Sequence, residues 1–115
     1  MRPETVIQRE VRKVLAQLGF EAVHVPNGAV LAGDPQQRAR QMKSLKADGL
    51  MVGFPDLLVY GTGGRIGHFE IKTAKGGQND NQVRTQTWMQ AWGHKYAVVR
   101  SASDAVDALE IWGWI

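Results

Sequence analysis

The segment "GFPDLLVYGTGGRIGHFEIKTAK", residues 53–75, sets an acid and a base, Glu70 and Lys72, two positions apart in an otherwise apolar strand. Side chains alternate across a strand, so Phe69 and Ile71 take one face while His68, Glu70 and Lys72 take the other. On a surface strand a Glu-x-Lys pair of this kind is a solvated ion pair and nothing more. Asp56 changes the reading. It follows Pro55 and opens the neighbouring strand, which a hairpin brings beside "HFEIK". One carboxylate from each of two adjacent strands, with a lysine next to one of them, can bind a hard divalent cation. Mg²⁺ suits such a site, because it takes few carboxylates and completes its shell with water and phosphate oxygens.

The first helical stretch offers a further acid. At 100° per residue Glu4 falls on the stripe formed by Ile7, Val11, Leu15 and Leu18, whereas Glu10 falls well off it. An acid aligned with an apolar stripe needs a helix end or a partner. For Glu4 the helix N-terminus supplies the first; reaching a bound cation from the side supplies the second. Glu10 is the alternative helix acid. His24, His68 and His94 lack metal-ligand spacing and are read as ordinary residues, with His68 sharing the charged face. The "GTGG" turn leads into a strand rather than a helix, which argues against a phosphate-cradling loop. Trp88, Trp92, Trp112 and Trp114 are read as core or interface residues, with base stacking open to at most one of them.

The elements that must position these groups follow from periodicity and breakers. Residues 3–19, "PETVIQREVRKVLAQLG", have helical spacing with Pro3 at the first position and Gly19 as terminator. "FEAVHV" is a strand ended by Pro26-Asn27-Gly28. "DPQQRARQMKSLKADG" is a helix with Asp34 as N-cap, Pro35 in its first turn and Gly49 beyond its end. "DLLVY" and "IGHFEIKT" are the two strands of the hairpin. "NQVRTQTWMQAWG" is a helix with Val83, Trp88 and Trp92 among its apolar members, "KYAVVR" a final strand, and "SASDAVDALEIWGWI" a closing helix capped by Ser or Asp. The order α-β-α-β-β-α-β-α predicts an α/β domain, a small mixed sheet flanked by helices, spanning residues 1–115 as one unit.

Composition agrees with an ordinary soluble domain: hydrophobic residues are 43% and charged residues 22% of the 115. No apolar run is long enough for a membrane helix, and the first residues show no secretory pattern. Cysteine is absent, which excludes disulfides and thiolate metal sites and fits a cytoplasmic setting. The net charge of +3 and the pI near 9.5 lean toward a polyanionic partner, with a mildly basic surface of no special role as the other reading. Arg38, Arg40, Lys43 and Lys46 fall together in "QQRARQMKSLK" without an acid between them. They are candidate phosphate contacts, or else a solvated helix face.

Taken together, "GFPDLLVY … HFEIKTAKGG … NQ … WGHKYAVVRS" resembles the PD-(D/E)xK nuclease superfamily, and closely its VRR-type branch. Pro55-Asp56 matches the Pro-Asp pair, Glu70-Ile71-Lys72 the Glu-x-Lys signature, and Gly93 to Ser101 the turn and Val-Arg strand. Gln82 matches the branch's glutamine, with Gln86 one turn away as its competitor. The segment "HVPNGAV" and the basic helix before "GLMVGFPDLL" are similar to stand-alone, phage-type members, so the resemblance runs over most of the chain. Only Arg100 stands where the branch has two arginines, and the role of the second is not carried over.

The resemblance implies a restriction-endonuclease-like core and metal-assisted hydrolysis of a DNA phosphodiester. Asp56, Glu70 and the Ile71 carbonyl, with Glu4 from the side, would hold Mg²⁺ or Mn²⁺. Lys72 would stabilise the attacked phosphate or position the water; with two carboxylates close by, electrostatic help is expected ahead of a general-base role. Gln82 would orient water, lysine or phosphate, and as a plain helix-surface residue it would do none of these. Lys75 and Arg100 join the basic helix as candidate DNA contacts. By resemblance, stand-alone members look like Holliday-junction resolvases, which implies branched DNA as substrate in a bacterial or phage-infected cell. A chain this small has little surface to embrace DNA alone, so a homodimer is expected; a non-catalytic DNA-binding module and a nuclease subunit active only in a larger assembly are the alternative readings. "ALEIWGWI" is the candidate dimer surface, with core packing as the other explanation.

Overall fold

The computed structural model describes residues 2–26 and 31–115. Asn27 and Gly28 of the expected turn, and with them the whole of "NGAV", therefore lie outside the described residues. Those residues form helix α1 (Pro3–Gln17), strand β1 (Glu21–His24), helix α2 (Pro35–Ala47), strands β2 (Leu57–Gly61) and β3 (Arg65–Ile71), helix α3 (Asp80–Ala91), strand β4 (Lys95–Val99) and helix α4 (Ala102–Ile111). The sheet runs β1-β2-β3-β4. The first three strands pair antiparallel and β4 joins β3 in parallel, as a strand returning through a crossover helix must. The α/β class and the mixed sheet are as the sequence predicts.

Local chemistry sets the boundaries. Pro3 and Pro35 sit in the first turns of α1 and α2, where a missing N–H is harmless. Asp34 accepts from the Gln37 N–H while the Gln37 side chain returns to the Asp34 N–H, a closed capping box. Ser101 caps α4 by accepting from Asp104 N–H. The hairpin between β2 and β3 turns on Gly63 and Gly64, whose φ values of 73° and 79° favour residues without a Cβ.

One face of the sheet carries Ala22, Leu57, Val59, Phe69, Ile71 and Val99, closed by Val11 and Leu15 of α1 and by Ala105 and Leu109 of α4. At an order of 2 kcal/mol for each large apolar side chain removed from water, this layer holds the fold. Trp112 and Trp114 finish it. The Trp112 ring packs 5.2 Å from Phe69, and Trp114 stacks 6.0 Å from Phe20. A Cβ on Gly67 would lie 2.6 Å from the Trp112 ring, so that strand position must stay bare. The C-terminal tryptophans thus serve the core, and of the candidate dimer segment it is Ile111 and Ile115 that remain exposed. Leu18, placed on the α1 stripe by periodicity, is 41% exposed, because the helix ends at Gln17 and the phase does not extend past it.

The opposite face is covered by α3, through Thr85 and Met89, with Tyr96 of β4 beneath them. Val83 and Trp92, expected among the apolar members of α3, are exposed instead. Because both sides of β3 are covered, His68, Glu70 and Lys72 are buried, whereas a two-layer fold would have left them in water. Helix α2 differs from the other helices. None of its residues is buried, and it makes no more than marginal contact with any other helix or strand.

Candidate active site

The register places Leu57 opposite Phe69. One step beyond that pair, Asp56 comes opposite Glu70. Three hydrogen bonds fix Asp56: its Oδ2 accepts from the Ile71 N–H at 2.7 Å, and its carbonyl accepts from the Val25 N–H at 2.8 Å and from His24 Nδ1 at 3.2 Å. The charged bond from Ile71 contributes roughly 1.5–3 kcal/mol and ties the carboxylate to the strand that carries Glu70.

Glu70 is 1% exposed. Its Oε1 accepts from Gln82 Nε2 at 2.9 Å and lies 4.0 Å from Lys72 Nζ. Its Oε2 is buried and has no hydrogen-bond partner. Burial, and then the neighbouring Asp56 carboxylate, push the Glu70 pKa up to about 9, against the opposing pull of Lys72 and with a small further push from Glu4. Two carboxylates this close do not both ionise readily without a cation, so in its absence the proton stays on Glu70. Burial, together with the nearby Glu70 and Asp56 charges, likewise raises the Tyr96 phenol, whose oxygen accepts from Gln78 Nε2 at 3.1 Å.

Gln82 is built in from two directions. Its Oε1 accepts from the Asn79 N–H, completing a capping box at the start of α3, which leaves Nε2 free to reach Glu70. The sequence left open whether Gln82 was a plain surface residue or Gln86 took its place; the hydrogen bond to Glu70 is made by Gln82. The loop before Asp56 is wedged against this same turn. Gly53 has φ +87°, and a Cβ there would lie 2.5–2.8 Å from the Asn81 carbonyl and the Gln82 nitrogen.

Asp56 and Ile71 open into a cleft of about 250 Å³, bounded on the α1 side by Arg2, Glu4, Thr5 and Gln8 and on the β1 side by His24 and Pro26. Glu4 therefore faces the same cleft as Asp56, and Glu10 does not line it. Among the described residues no three acids or histidines close into a ready-made metal cage. A buried carboxylate with an orphaned oxygen, a second carboxylate opposite it and an open cleft nevertheless fit a hard cation that keeps most of its shell as water. Spacing gave no sign that His24 and Gln8 belong to the cleft, since they come from separate elements.

The candidate DNA contacts separate into two kinds. Arg38, Arg40, Lys43, Lys46 and Lys75 are exposed. Arg100 has partners within the fold: its Nη1 donates to the carbonyls of Thr73 (2.6 Å) and Gly76 (2.5 Å), and its own N–H donates to Asp104. Half-buried and turned inward, it clasps the loop that follows Lys72 rather than presenting its charge to a ligand. His68 is also buried, flanked edge-on by Phe54 and His94, and burial lowers its pKa.

No family model matches the sequence, and no curated protein matches it. Among solved structures, a chain described as a VRR_NUC domain superimposes with a TM-score of 0.69 over 96% of this chain and 97% of its own length, at 20% identity. That likeness is one of fold, from end to end, and it agrees with the sequence resemblance: the chain has a VRR-type nuclease-like fold.

Proposed function

We propose that this chain is a metal-dependent DNA endonuclease that hydrolyses phosphodiester bonds, acting on branched DNA such as four-way junctions. The observation that carries the reading is the buried Glu70 carboxylate, with its unpartnered Oε2 and with Lys72 at 4.0 Å, opposite a half-buried Asp56 that lines an open cleft. A binding module has no use for such an arrangement, since burying uncompensated acids destabilises a fold. Asp56, Glu70 and the Ile71 carbonyl would hold Mg²⁺ or Mn²⁺, with Glu4 reaching in across the cleft. When bound, the ion supplies an activated water and neutralises charge on the phosphate. Gln82 holds Glu70 in place, and Lys72 offers its ammonium to the charge that builds on the attacked phosphate.

The exposed cations of α2 and Lys75 support a polyanionic substrate. Arg40, Lys43 and Lys46 recur every three residues on one side of α2, a pattern that follows a phosphate backbone without reading bases, which favours recognition by shape. A homodimer would double the small footprint and place two cuts about a two-fold axis. The proposed setting is the cytoplasm of a bacterial or phage-infected cell.

The test is cleavage of end-labelled single-stranded, duplex, flap and four-way-junction DNA by wild type and Lys72→Ala, with Mg²⁺, Mn²⁺ or EDTA. Metal-dependent cutting that the variant loses supports the reading, and paired symmetric nicks on the junction support the dimer. Binding without cutting under every metal would reduce the chain to a DNA-binding module.

A further inference from the structure

Beyond the cleft, the outer side of α3 carries a second set of groups that the hydrolytic chemistry does not use. Arg84 is exposed and stands across a groove of about 510 Å³ from Lys46 of α2. The groove floor is apolar, formed by Leu50, Met51 and Val52, and no acid lines it. Along α3 from Arg84, Trp88 and Trp92 follow at i+4 and i+8, a spacing that keeps all three on one side of the helix. The two indole rings are 4.8 Å apart, and Trp92 is 73% exposed. The groove end of this track is joined to the site: Asn81, which lines the groove, adjoins Gln82, the residue bonded to Glu70.

We infer that the outer side of α3 is a path for unpaired nucleic acid, with Arg84 and Lys46 holding its phosphates and Trp92 stacking on a base. The occupant follows from the chemistry. Two unpaired cations over an acid-free apolar groove call for an anion with an apolar face. An exposed indole next in line accepts any base on its π-face, provided that the base is not already paired. A duplex hides its base faces and would meet only the cations. The inference rests on the nuclease reading for its biological sense and gives that reading a substrate feature: a branched molecule with a single-stranded arm beside the cut.

The test is fluorescence anisotropy of labelled dT20 and of a blunt mixed-sequence duplex in EDTA, with wild type, Trp92→Ala, Trp92→Phe and Arg84→Ala. Trp92→Ala is expected to weaken dT20 binding about 5- to 150-fold, the range for losing one stacked base. Duplex binding should stay within about twofold of wild type, and Trp92→Phe should recover most of the loss. Arg84→Ala is expected to weaken both ligands and to reduce the salt dependence of dT20 binding by about one phosphate contact. Circular dichroism checks that each variant is folded. If Trp92→Ala and Arg84→Ala bind dT20 like wild type, or if Trp92→Ala loses both ligands equally, the path does not exist. A dimer in sedimentation that Trp92→Ala dissolves would assign the indole to a protein interface and also overturn it. The two readings fail separately: absence of metal-dependent cutting removes the nuclease and leaves the binding path, whereas cutting with unchanged dT20 affinity in the variants removes only the path.

Discussion

Glu70→Gln in the metal-free protein isolates the energetic strain on which the site is built. A carboxyl with an ordinary pKa of 4.5 that titrates near 9 in the fold is bound as the neutral acid across most of the accessible pH range. The unfolded chain releases that proton at 4.5, so stability is fully present below pH 4.5 and falls as pH rises toward 9. Between pH 4.5 and pH 7, at about 1.4 kcal/mol per pH unit, the loss comes to about 3 kcal/mol. Glutamine resembles the protonated acid. Its oxygen can keep the bond from Gln82 and its amide can donate to Asp56, but it has no proton to lose. The variant should therefore be about 3 kcal/mol more stable than wild type at pH 7, a rise of roughly 10 °C in Tm, with the gain shrinking to nothing near pH 4.5. Calorimetry of both proteins in EDTA from pH 5 to 8.5 measures it. Adding Mg²⁺ at pH 8.5 should recover stability in wild type, whose acids bind the ion as the proton leaves, and do little for the variant. Wild-type Tm that holds or rises across this range, or two proteins whose pH profiles run parallel, would refute the account of a Glu70 that is buried as the neutral acid.

Three further substitutions probe the framework around the acids. Gln82→Ala removes both the α3 capping bond and the bond to Glu70, so urea denaturation should show a loss of about 1–3 kcal/mol, with cleavage falling more steeply than DNA binding. Gly53→Ala places a Cβ against backbone atoms of Asn81 and Gln82 at a φ of +87°, where no side chain can swing aside. A loss of roughly 2–4 kcal/mol in chemical denaturation is expected, from strain and overpacking together. Arg100→Ala should leave DNA affinity within about twofold of wild type while hydrogen exchange quickens across residues 73–77 and kcat drops. Arg100→Lys should not fully rescue it, because the lysine side chain is one atom shorter and its ammonium falls short of the place from which Nη1 bonds both carbonyls.

Much of the fold was written in local signals. Pro3, the Asp34-Pro35 pair and Ser101 mark helix starts by their own hydrogen-bonding chemistry, and Gly63-Gly64 marks the hairpin, so these readings needed no tertiary information. Asp56, Glu70 and Lys72 were legible for a similar reason: strand alternation and hairpin register fix which residues meet. What the sequence could not show was which faces become covered. Trp92 and Val83 look like core members by composition, yet α3 turns Thr85 and Met89 inward because Gln82 is committed to Glu70 at the helix start. The inward bonds of Arg100 had no local signature, because charge alone says nothing of direction and its carbonyl partners lie 24 and 27 residues away. His24 and Gln8 entered the cleft through the packing of α1 and β1, a relation with no local signature. Arg84 gave no warning in the chain; it became notable only when Lys46 appeared across the groove.

The contact of Gly53 with the first turn of α3 bears on how the molecule can change over generations. Side-chain contacts can be exchanged for others of similar volume, but a backbone wedged against a backbone admits no substitute. The loop carrying Asp56, the strand carrying Glu70 and the helix carrying Gln82 are thereby locked at one spacing, and drift there is punished at the level of folding before chemistry is lost. Helix α2, which buries none of its residues, is under no such constraint. If the proposed function holds, new substrate preferences can accumulate on that helix, residue by residue, while Asp56, Glu70 and Gln82 keep their geometry.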